Sequence, residues 1–319
     1  MKSSRELDLL VVVFLAVIVF SILYPRSFFS LDMAEAVLRN MAIDGILAVG
    51  MMMLMVAGVF DLSVGAVMSL AGVVTGTLLM KAGMPAPVAI LGGLFAGAVG
   101  GFFNGLVVTQ FKVNALITTL ATMGICRGVA LLLGGVAIPD LPAEFCVLGQ
   151  TEWPKVEVGG AVLKLQSPVW LMLGLAVVAH LAMSRTRWFR QLYYIGANPK
   201  AATLSGIPAA RVQWAAFTLC GVIAAVAGIT FAARMGTAVS TAGDGAELRV
   251  ITAVILGGAS LQGGRGTILG AVVGVVFMSL VYNLLLVTRV NSYWQGIVFG
   301  LILIAAVGLD SWKNRGRST

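Results

Sequence analysis

Residues 58–76 read GVFDLSVGAVMSLAGVVTG and place one carboxylate, Asp61, beside Ser63 between two long apolar runs. A charge in hydrocarbon costs several kcal/mol unless it is paired or faces water. Just before the second run, however, a carboxylate can accept backbone N–H groups and face the positive end of a helix. The stretch therefore predicts a break between two membrane helices, with Asp61 as the N-cap of the second helix.

The composition of the whole chain agrees with a membrane location. Of its 319 residues, 59% are hydrophobic and 11% are charged, whereas a soluble protein carries roughly 25% charged residues. The apolar runs are continuous over about 20 residues, which is the length of a membrane helix and unlike the alternation of barrel strands. We expect an all-α polytopic membrane protein, with residues 1–319 forming one transmembrane domain in the lipid bilayer.

Charges, prolines and glycine clusters divide the chain into ten predicted spans. The eighth is short and glycine-rich, so a re-entrant segment there would reduce the count to nine. The spans cover residues 8–24, 41–59, 63–80, 86–109, 113–133, 168–184, 212–233, 249–263, 267–287 and 292–309. Segment 184–213 contains five basic residues and no acid, whereas segment 134–167 contains four acids. The positive-inside rule then predicts that the N- and C-termini are cytoplasmic and that 134–167 is an outer loop.

Two of the predicted loops are too long to be simple connections. In the outer loop 134–167, alternating polarity on both sides of Gly159 and Gly160 predicts a small β-hairpin. In the inner loop, residues 185–211, Asn198 is a suitable N-cap, and a short helix from Pro199 is predicted to stop at Gly206. Such a helix beneath the membrane could dock on a partner or could simply order a long loop.

Several functional classes are disfavoured by the residues. The formal charge of +8 is explained by membrane topology, so we expect no nucleic-acid partner. His180 is the only histidine, and the three cysteines are scattered, so we expect packing cysteines and no metal site. The phosphate-binding motif GxxxxGK[ST] is absent. We therefore expect no enzyme and no cofactor in this chain, and any use of ATP would require a separate subunit.

Transport remains, and it draws attention to polar side chains within or beside the spans. We expect the substrate pathway to include Asp61, Ser63, Asn104, Asn114, Gln262 and Asn283. Arg127 lies within a span, where it could face a cavity, pair with an acid or pair with another subunit, and Asp44 is expected near the outer end of its span. Few carboxylates lie deep in the spans, which weighs against an ion-coupled carrier without excluding one. A channel is a further alternative.

Four segments of the chain together resemble the ribose-type permease family, the membrane subunits of bacterial ABC importers for monosaccharides and related small molecules. They lie between residues 58 and 309, in the family's order, and read GVFDLSVGAVMSLAGVV, GFFNGLVVTQFKVNALITTLATMGICRGVALLLGG, YYIGANPKAATLSGIPAARV and AELRVITAVILGGASLQGGRGTILGAVVG. The chain departs from the family pattern at Ala57, where a glycine is usual, at Asn114, where proline is common, and at Arg249, where an acid is usual.

The resemblance implies a permease of the bacterial inner membrane, paired with a second permease subunit, identical or different. It implies two further partners, a cytoplasmic ATPase that binds the ATP and a periplasmic solute-binding protein that delivers a small polar solute, a monosaccharide above all. It also assigns ATPase coupling to the inner loop, at Gly196, Asn198, Lys200, Ala201, Ala202, Leu204, Ser205, Gly206 and Ile207.

Overall fold

The computed structural model describes residues 31–158 and 161–315, together with positions 10, 11, 13–15, 17, 18 and 21, which are helical. The first eight helices are α1 Leu31–Val56, α2 Val64–Met80, α3 Ala86–Thr109, α4 Ala115–Gly134, α5 Ala143–Gln150, α6 Ser167–Arg185, α7 Arg187–Ala197 and α8 Pro199–Leu204. They are followed by α9 Ala209–Met235, α10 Ala246–Leu256, α11 Ile268–Val287 and α12 Ser292–Arg315. The strands are β1 Ala137–Ile138, β2 Glu152–Val158, β3 Ala161–Gln166 and β4 Ala238–Val239.

The helical membrane architecture is confirmed, but the predicted count of ten spans is not. Among the described residues, six helices are long and apolar enough to cross a membrane: Met33–Val56, Ala86–Thr109, Ala115–Gly134, Ser167–Arg185, Ala209–Met235 and Ile268–Val287. Two shorter apolar helices cover Val64–Met80 and Trp294–Gly308. Most of the predicted span 8–24 lies outside the described residues. So do residues 1–9 and 316–319, and the cytoplasmic location of the termini stays a prediction.

Two predicted spans have different bounds in the structure. Helix α1 begins at Leu31 instead of residue 41, because Glu35 and Arg39 stand one turn apart, with 3.9 Å between the carboxylate and the guanidinium, and are therefore compatible with a helix. The predicted span 249–263 is interrupted, which agrees with the alternative to a continuous helix that its glycines indicated. Helix α10 ends at Leu256, and the glycine-rich residues 257–267 form an irregular connection to α11.

The core is built from α1, α2 and α9, whose close approach depends on small side chains. A Cβ on Gly228 of α9 would lie 1.9 Å from the carbonyl oxygen of Met68 on α2. A Cβ on Gly221 would lie 2.2 Å from the carbonyl oxygen of Gly97 on α3. Packing of small residues is the usual way in which membrane helices associate. Cys126, Cys146 and Cys220 are buried and unbridged, as predicted for packing residues.

The predicted β-hairpin is confirmed, since β2 and β3 pair antiparallel with Val158 opposite Ala161. Segment 134–167 also contains α5 and the strand β1, which pairs antiparallel with β4. Glu35, near the start of α1, accepts a hydrogen bond from the backbone N–H of Lys164 on β3. At the other end of α1, the carbonyl of Val56 accepts one from Gly264. We name these two ends of the bundle the hairpin end and the coupling end, the latter carrying α7 and α8.

Candidate functional site

A polar cavity of about 280 Å³ lies towards the hairpin end, between α1, α2, α9, α10, α11 and α12. Its polar side chains are Asn40, Asp44, Arg234, Arg249, Ser279, Tyr282 and Gln295. Its apolar lining includes Ile43, Met68, Phe231 and Met278. Ligand sites in proteins are concave and mostly apolar, with a few convergent polar groups that orient the ligand. The cavity shares the concave shape and the convergent polar groups of such sites, is more polar than most of them, and is large enough for a solute of monosaccharide size.

One wall of the cavity is an ion pair between α1 and α10. The Arg249 Nε donates to Asp44 Oδ2 over 3.1 Å, and a terminal guanidinium nitrogen donates to Oδ1 over 3.2 Å. This paired geometry matches the planar guanidinium to the carboxylate. Asp44 was expected near the outer end of its span and is instead the fourteenth residue of the 26-residue α1, since the helix starts earlier than predicted.

A second guanidinium, that of Arg234 on α9, lines the cavity without a carboxylate at ion-pair distance among the described residues. Its Nη1 donates to the carbonyl oxygen of Arg39 over 2.8 Å. The guanidinium carbon lies 5.6 Å from the ring centre of Phe231, which is within the range of a cation–π contact. Arg234 therefore brings a largely uncompensated positive charge to the cavity.

Asn283, one of the predicted pathway residues, is buried on α11 behind the cavity wall. Its amide nitrogen donates to the carbonyl of Ser279 over 2.8 Å, and its amide oxygen accepts from Asn40 over 3.2 Å. Ser279 and Asn40 line the cavity themselves. Asn283 thus positions two cavity residues in this conformation.

Asp61, Ser63 and Asn104 form a second polar cluster, at the coupling end, and all three side chains are buried. Asp61 Oδ1 accepts from the backbone N–H of Ser63 over 2.7 Å and from the Ser63 hydroxyl over 2.6 Å. Asn104 Nδ2 donates to Asp61 Oδ2 over 3.1 Å and to Ser63 Oγ over 2.9 Å. Burial raises the pKa of Asp61, and the hydrogen bonds from Ser63 and Asn104 oppose that shift. The cluster holds the connection 57–63 against α3.

The expectation that Asp61 is the N-cap of the following helix needs correction. Helix α2 begins at Val64, and its N-cap residue is Ser63. Asp61 lies two residues earlier and accepts the Ser63 N–H, which is the local turn that aspartate side chains favour. The carboxylate thus orders the turn before the helix, next to the predicted cap position.

Asn114 and Gln262 lie away from both clusters. Asn114 is exposed and is the N-cap of α4, where its side chain accepts from the Leu116 N–H over 2.8 Å. Gln262 is exposed in the connection 257–267. The structure therefore brings together three of the six predicted pathway residues and places a fourth, Asn283, beside the cavity. Their contact with a solute stays a prediction.

The predicted short helix of the inner loop is confirmed as α8, preceded by an amphipathic helix, α7. Asn198 caps α8 by accepting from the Ala201 N–H over 3.0 Å, and Gly206 adopts φ +83° just after its end, a backbone conformation that glycine tolerates best. Ala202 faces the protein, whereas Leu204 is 90% exposed. Gly196 is buried, Lys200, Ala201 and Ser205 are exposed, and Ile207 is partly buried. Leu204 is therefore an apolar side chain that α8 presents to its surroundings and does not pack against the bundle.

The C-terminal end of α7 packs into a junction of three backbone segments. A Cβ on Gly196 would lie 1.9 Å from the Val56 carbonyl oxygen and 2.5 Å from the Gly264 nitrogen. A Cβ on Gly263 would lie 2.7 Å from Gly58 Cα and 2.8 Å from Gly196 Cα. We name this contact of residues 56–58, 193–197 and 263–266 the glycine junction. It joins the inner loop to both breaks, the one after α1 and the one after α10.

Arg127 forms its described contacts within the chain. Of the alternatives predicted for it, pairing with an acid is the one that the structure shows. Its guanidinium contacts the Asp244 carboxylate and donates to Ser69 Oγ over 2.9 Å and to the Ser240 carbonyl over 2.7 Å. These contacts join α4 and α2 to the segment that precedes α10. Arg127 is therefore a structural residue at the hairpin end, pairing with an acid as one of the alternatives predicted.

The cavity was not predicted from the sequence, although two of its charged residues are conspicuous there. Asp44 and Arg249 are opposite charges in apolar surroundings, and such charges in membrane proteins pair. They are separated by 205 positions, so only the tertiary fold identifies them as partners.

Within the described residues, no group of three or more His, Cys, Asp or Glu could hold a metal ion.

Comparison with known proteins identifies the family. Residues 33–307 match the family model of the branched-chain amino acid transport system / permease component. The autoinducer 2 import system permease protein LsrC of Shigella flexneri is 34% identical over 310 residues, which are 97% of this chain and 87% of that protein. The protein of the same name from Photorhabdus luminescens is 32% identical over 311 residues, which are 97% of this chain and 90% of that protein.

The L-arabinose transport system permease protein AraH of Escherichia coli K12 is 35% identical over 279 residues, which are 87% of this chain and 82% of that protein. No solved structure matches the chain. The family model and these relatives cover the described bundle, including both ends of it. The chain therefore belongs to this family of permease components, the ribose-type membrane subunits of ABC importers that its four sequence segments resemble.

Proposed function

We propose that the chain is the translocation subunit of an ATP-driven importer in the bacterial inner membrane and that it carries a small polar solute of the monosaccharide class. The relatives named for autoinducer 2 and L-arabinose import support a sugar-like solute. A periplasmic binding protein delivers the solute, and a separate cytoplasmic ATPase binds and hydrolyses ATP. A second permease subunit, the same chain or a homologous one, completes the pathway. This chain itself holds no cofactor and catalyses no reaction.

The glycine junction is the observation that carries the proposal. The inner loop 185–211 would be cytoplasmic, with α8 and its exposed Leu204 seated on the ATPase. A movement of α8 would reach Gly196, which contacts the connections at Val56 and Gly264 without an intervening side chain. Packed backbones of this kind switch between discrete arrangements and do not deform smoothly. ATP binding by the partner would thus change the relation of α1 and α10, the two helices that form the ion-pair wall of the cavity.

The solute pathway would run from the cavity towards the coupling end. Asn283 supports the cavity wall. The cluster of Asp61, Ser63 and Asn104 lies nearer the coupling end, where it would exchange hydrogen bonds with the hydroxyl groups of the solute once the bundle opens. Asn114 and Gln262 would contribute only in another conformation, because both are exposed away from the cavity here.

Reconstitution in liposomes tests the proposal. We expect the purified chain alone to show no ATPase activity and no uptake under a proton or sodium gradient. With its ATPase and binding protein, it should take up solute only when ATP is supplied. Uptake by the chain alone under an ion gradient would overturn the proposal and favour the alternative, a self-sufficient secondary transporter or a channel.

A further inference from the structure

The charges that line the cavity do not cancel. Among the residues that the structure describes, its lining contains two guanidinium groups, those of Arg234 and Arg249, and one carboxylate, that of Asp44. Asp44 is engaged by Arg249 through both of its oxygens. The lining therefore carries one positive charge in excess, and that charge belongs to Arg234.

Other charged groups near the cavity are occupied elsewhere. The Arg39 side chain lies 3.9 Å from Glu35, outside the lining. Asp244 contacts the guanidinium of Arg127. The Glu247 carboxylate lies against Gly65 of α2 and is not part of the described cavity lining. None of these acids is at ion-pair distance from Arg234 among the described residues.

A partly buried guanidinium without an acid partner is an unfavourable arrangement unless a ligand supplies the charge. The planar group offers several N–H donors in a fork that matches a carboxylate. Within the described part of the chain, one of these donors has a hydrogen-bond partner, the Arg39 carbonyl at 2.8 Å. The remaining donors of Arg234 are thus available to an anionic group in the cavity.

The neutral part of the lining is suited to hydroxyl groups. Tyr282 and Gln295 present a hydroxyl and an amide group that both donate and accept hydrogen bonds. Asn40 and Ser279 already donate to Asn283 and to the Val37 carbonyl, and their oxygens can accept further hydrogen bonds. Phe231 and Met278 provide apolar surface beside them. The volume of about 280 Å³ lies just below the range of pockets for drug-sized ligands. The ligand is therefore small and rich in hydroxyl groups.

We propose that the cavity takes a polyhydroxylated solute with one carboxylate, of the sugar-acid class, and that Arg234 binds the carboxylate. The inference rests on the proposed function, since it assumes that the cavity lies on the translocation pathway. The Asp44–Arg249 pair keeps the second guanidinium from the ligand, so the site accepts one negative charge and not two. Arg249 is also a position at which the chain departs from the family segment that it resembles.

Binding of two matched probes to the purified full chain in detergent micelles tests the inference. D-Galacturonate and D-galactose differ by a carboxylate in place of a hydroxymethyl group, and the carboxylate is ionised at pH 7. We expect D-galacturonate to bind about tenfold to a hundredfold more tightly than D-galactose, the factor that a charge-assisted hydrogen bond supplies. Titration calorimetry at millimolar probe concentrations measures both affinities.

Variants assign the preference to Arg234. We expect Arg234→Gln to reduce the ratio of the two affinities to about one and Arg234→Lys, which keeps the charge without the fork, to give an intermediate ratio. Arg289→Gln removes an exposed charge at the same end of the bundle, outside the cavity, and should leave the ratio unchanged. A single symmetric elution peak in size exclusion verifies that each variant is folded.

Equal affinities for the two probes, absence of binding by either, or an unchanged ratio in Arg234→Gln would each overturn the inference. These outcomes are distinct from failure of the proposed function. A chain that prefers D-galacturonate but shows no ATP-dependent uptake with its partners would retain the sugar-acid site and lose the importer assignment. A chain that supports ATP-dependent uptake without preferring D-galacturonate would retain the importer assignment and lose the sugar-acid site.

Discussion

The hydroxyl of Tyr193 on α7 donates a hydrogen bond of 2.9 Å to the backbone carbonyl of Gly266. This bond joins the inner loop to the connection between α10 and α11, the same connection that enters the glycine junction. Since α7 leads directly into α8, a force on the coupling end reaches the irregular backbone of residues 257–267 through this contact.

Removing the Tyr193 hydroxyl should therefore weaken coupling more than folding. We expect Tyr193→Phe to lower the free energy of unfolding by about 1 kcal/mol and to reduce the solute taken up per ATP hydrolysed. The neighbouring Tyr194 is 57% exposed, so Tyr194→Phe is the matched control and should behave as wild type. An unchanged ratio of uptake to hydrolysis in Tyr193→Phe would contradict the coupling role.

Gly196 should tolerate no side chain. A Cβ there would meet the backbone of Val56 and Gly264, so Gly196→Ala must separate the three segments of the junction. We expect a loss of about 1–3 kcal/mol in the free energy of unfolding, measured by thermal unfolding in detergent. At Gly174 on α6, no atom lies within 4 Å of an added Cβ. Gly174→Ala should be neutral or slightly stabilising, and equal losses in the two variants would argue against a tight junction.

Leu204 should contribute to the affinity for the ATPase. If its side chain is buried on docking, truncation to alanine removes roughly 1.5–3 kcal/mol of binding energy. We expect Leu204→Ala to weaken ATPase association by about tenfold or more, measured by surface plasmon resonance with the permease in nanodiscs. Leu132 on α4 is similarly exposed, at 87%, and Leu132→Ala controls for loss of an apolar surface. If Leu204→Ala and Leu132→Ala bind the ATPase with equal affinity, Leu204 is not part of the docking surface.

The Asp44–Arg249 pair should show strong coupling in a double-mutant cycle. Asp44→Asn leaves a partly buried guanidinium without its acid, and we expect a loss of about 1–3 kcal/mol. The double variant Asp44→Asn with Arg249→Gln removes both charges and should lose less than the sum of the two single losses. Unfolding of all four proteins under one detergent condition measures the coupling energy. Strict additivity would show that the pair contributes little.

Local features of this chain could be predicted from sequence, because their causes lie within a few residues. Asn198, Pro199 and Gly206 specify the start and end of α8, and alternation around Gly159 specifies the hairpin. Helix α7 was not predicted, although Leu192 and Ile195 are buried on one face of it, because its basic residues were used only to place the loop relative to the membrane. The glycine run after Leu256 indicated an interruption of the helix, and the helix does end at Leu256.

The cavity and the glycine junction could not be predicted in the same way. Asp44, Arg234 and Arg249 come from three helices that are distant in the chain, and their meeting depends on how α1, α9 and α10 cross. The junction depends on three glycines whose backbones meet only after folding. Polarity alone selected Asn114 and Gln262 as well as Asn283, because an exposed amide and a buried one look identical in a sequence.

Helix α1 connects the two regions as a single stiff rod. Asp44 and Val56 are twelve residues apart on it, which corresponds to about 18 Å along the axis. If the rod pivots by about 10° at Val56, Asp44 moves by about 3 Å, which is the full length of its hydrogen bonds to Arg249. A small change of angle at the coupling end would thus be enough to break the ion pair and to change the shape of the cavity.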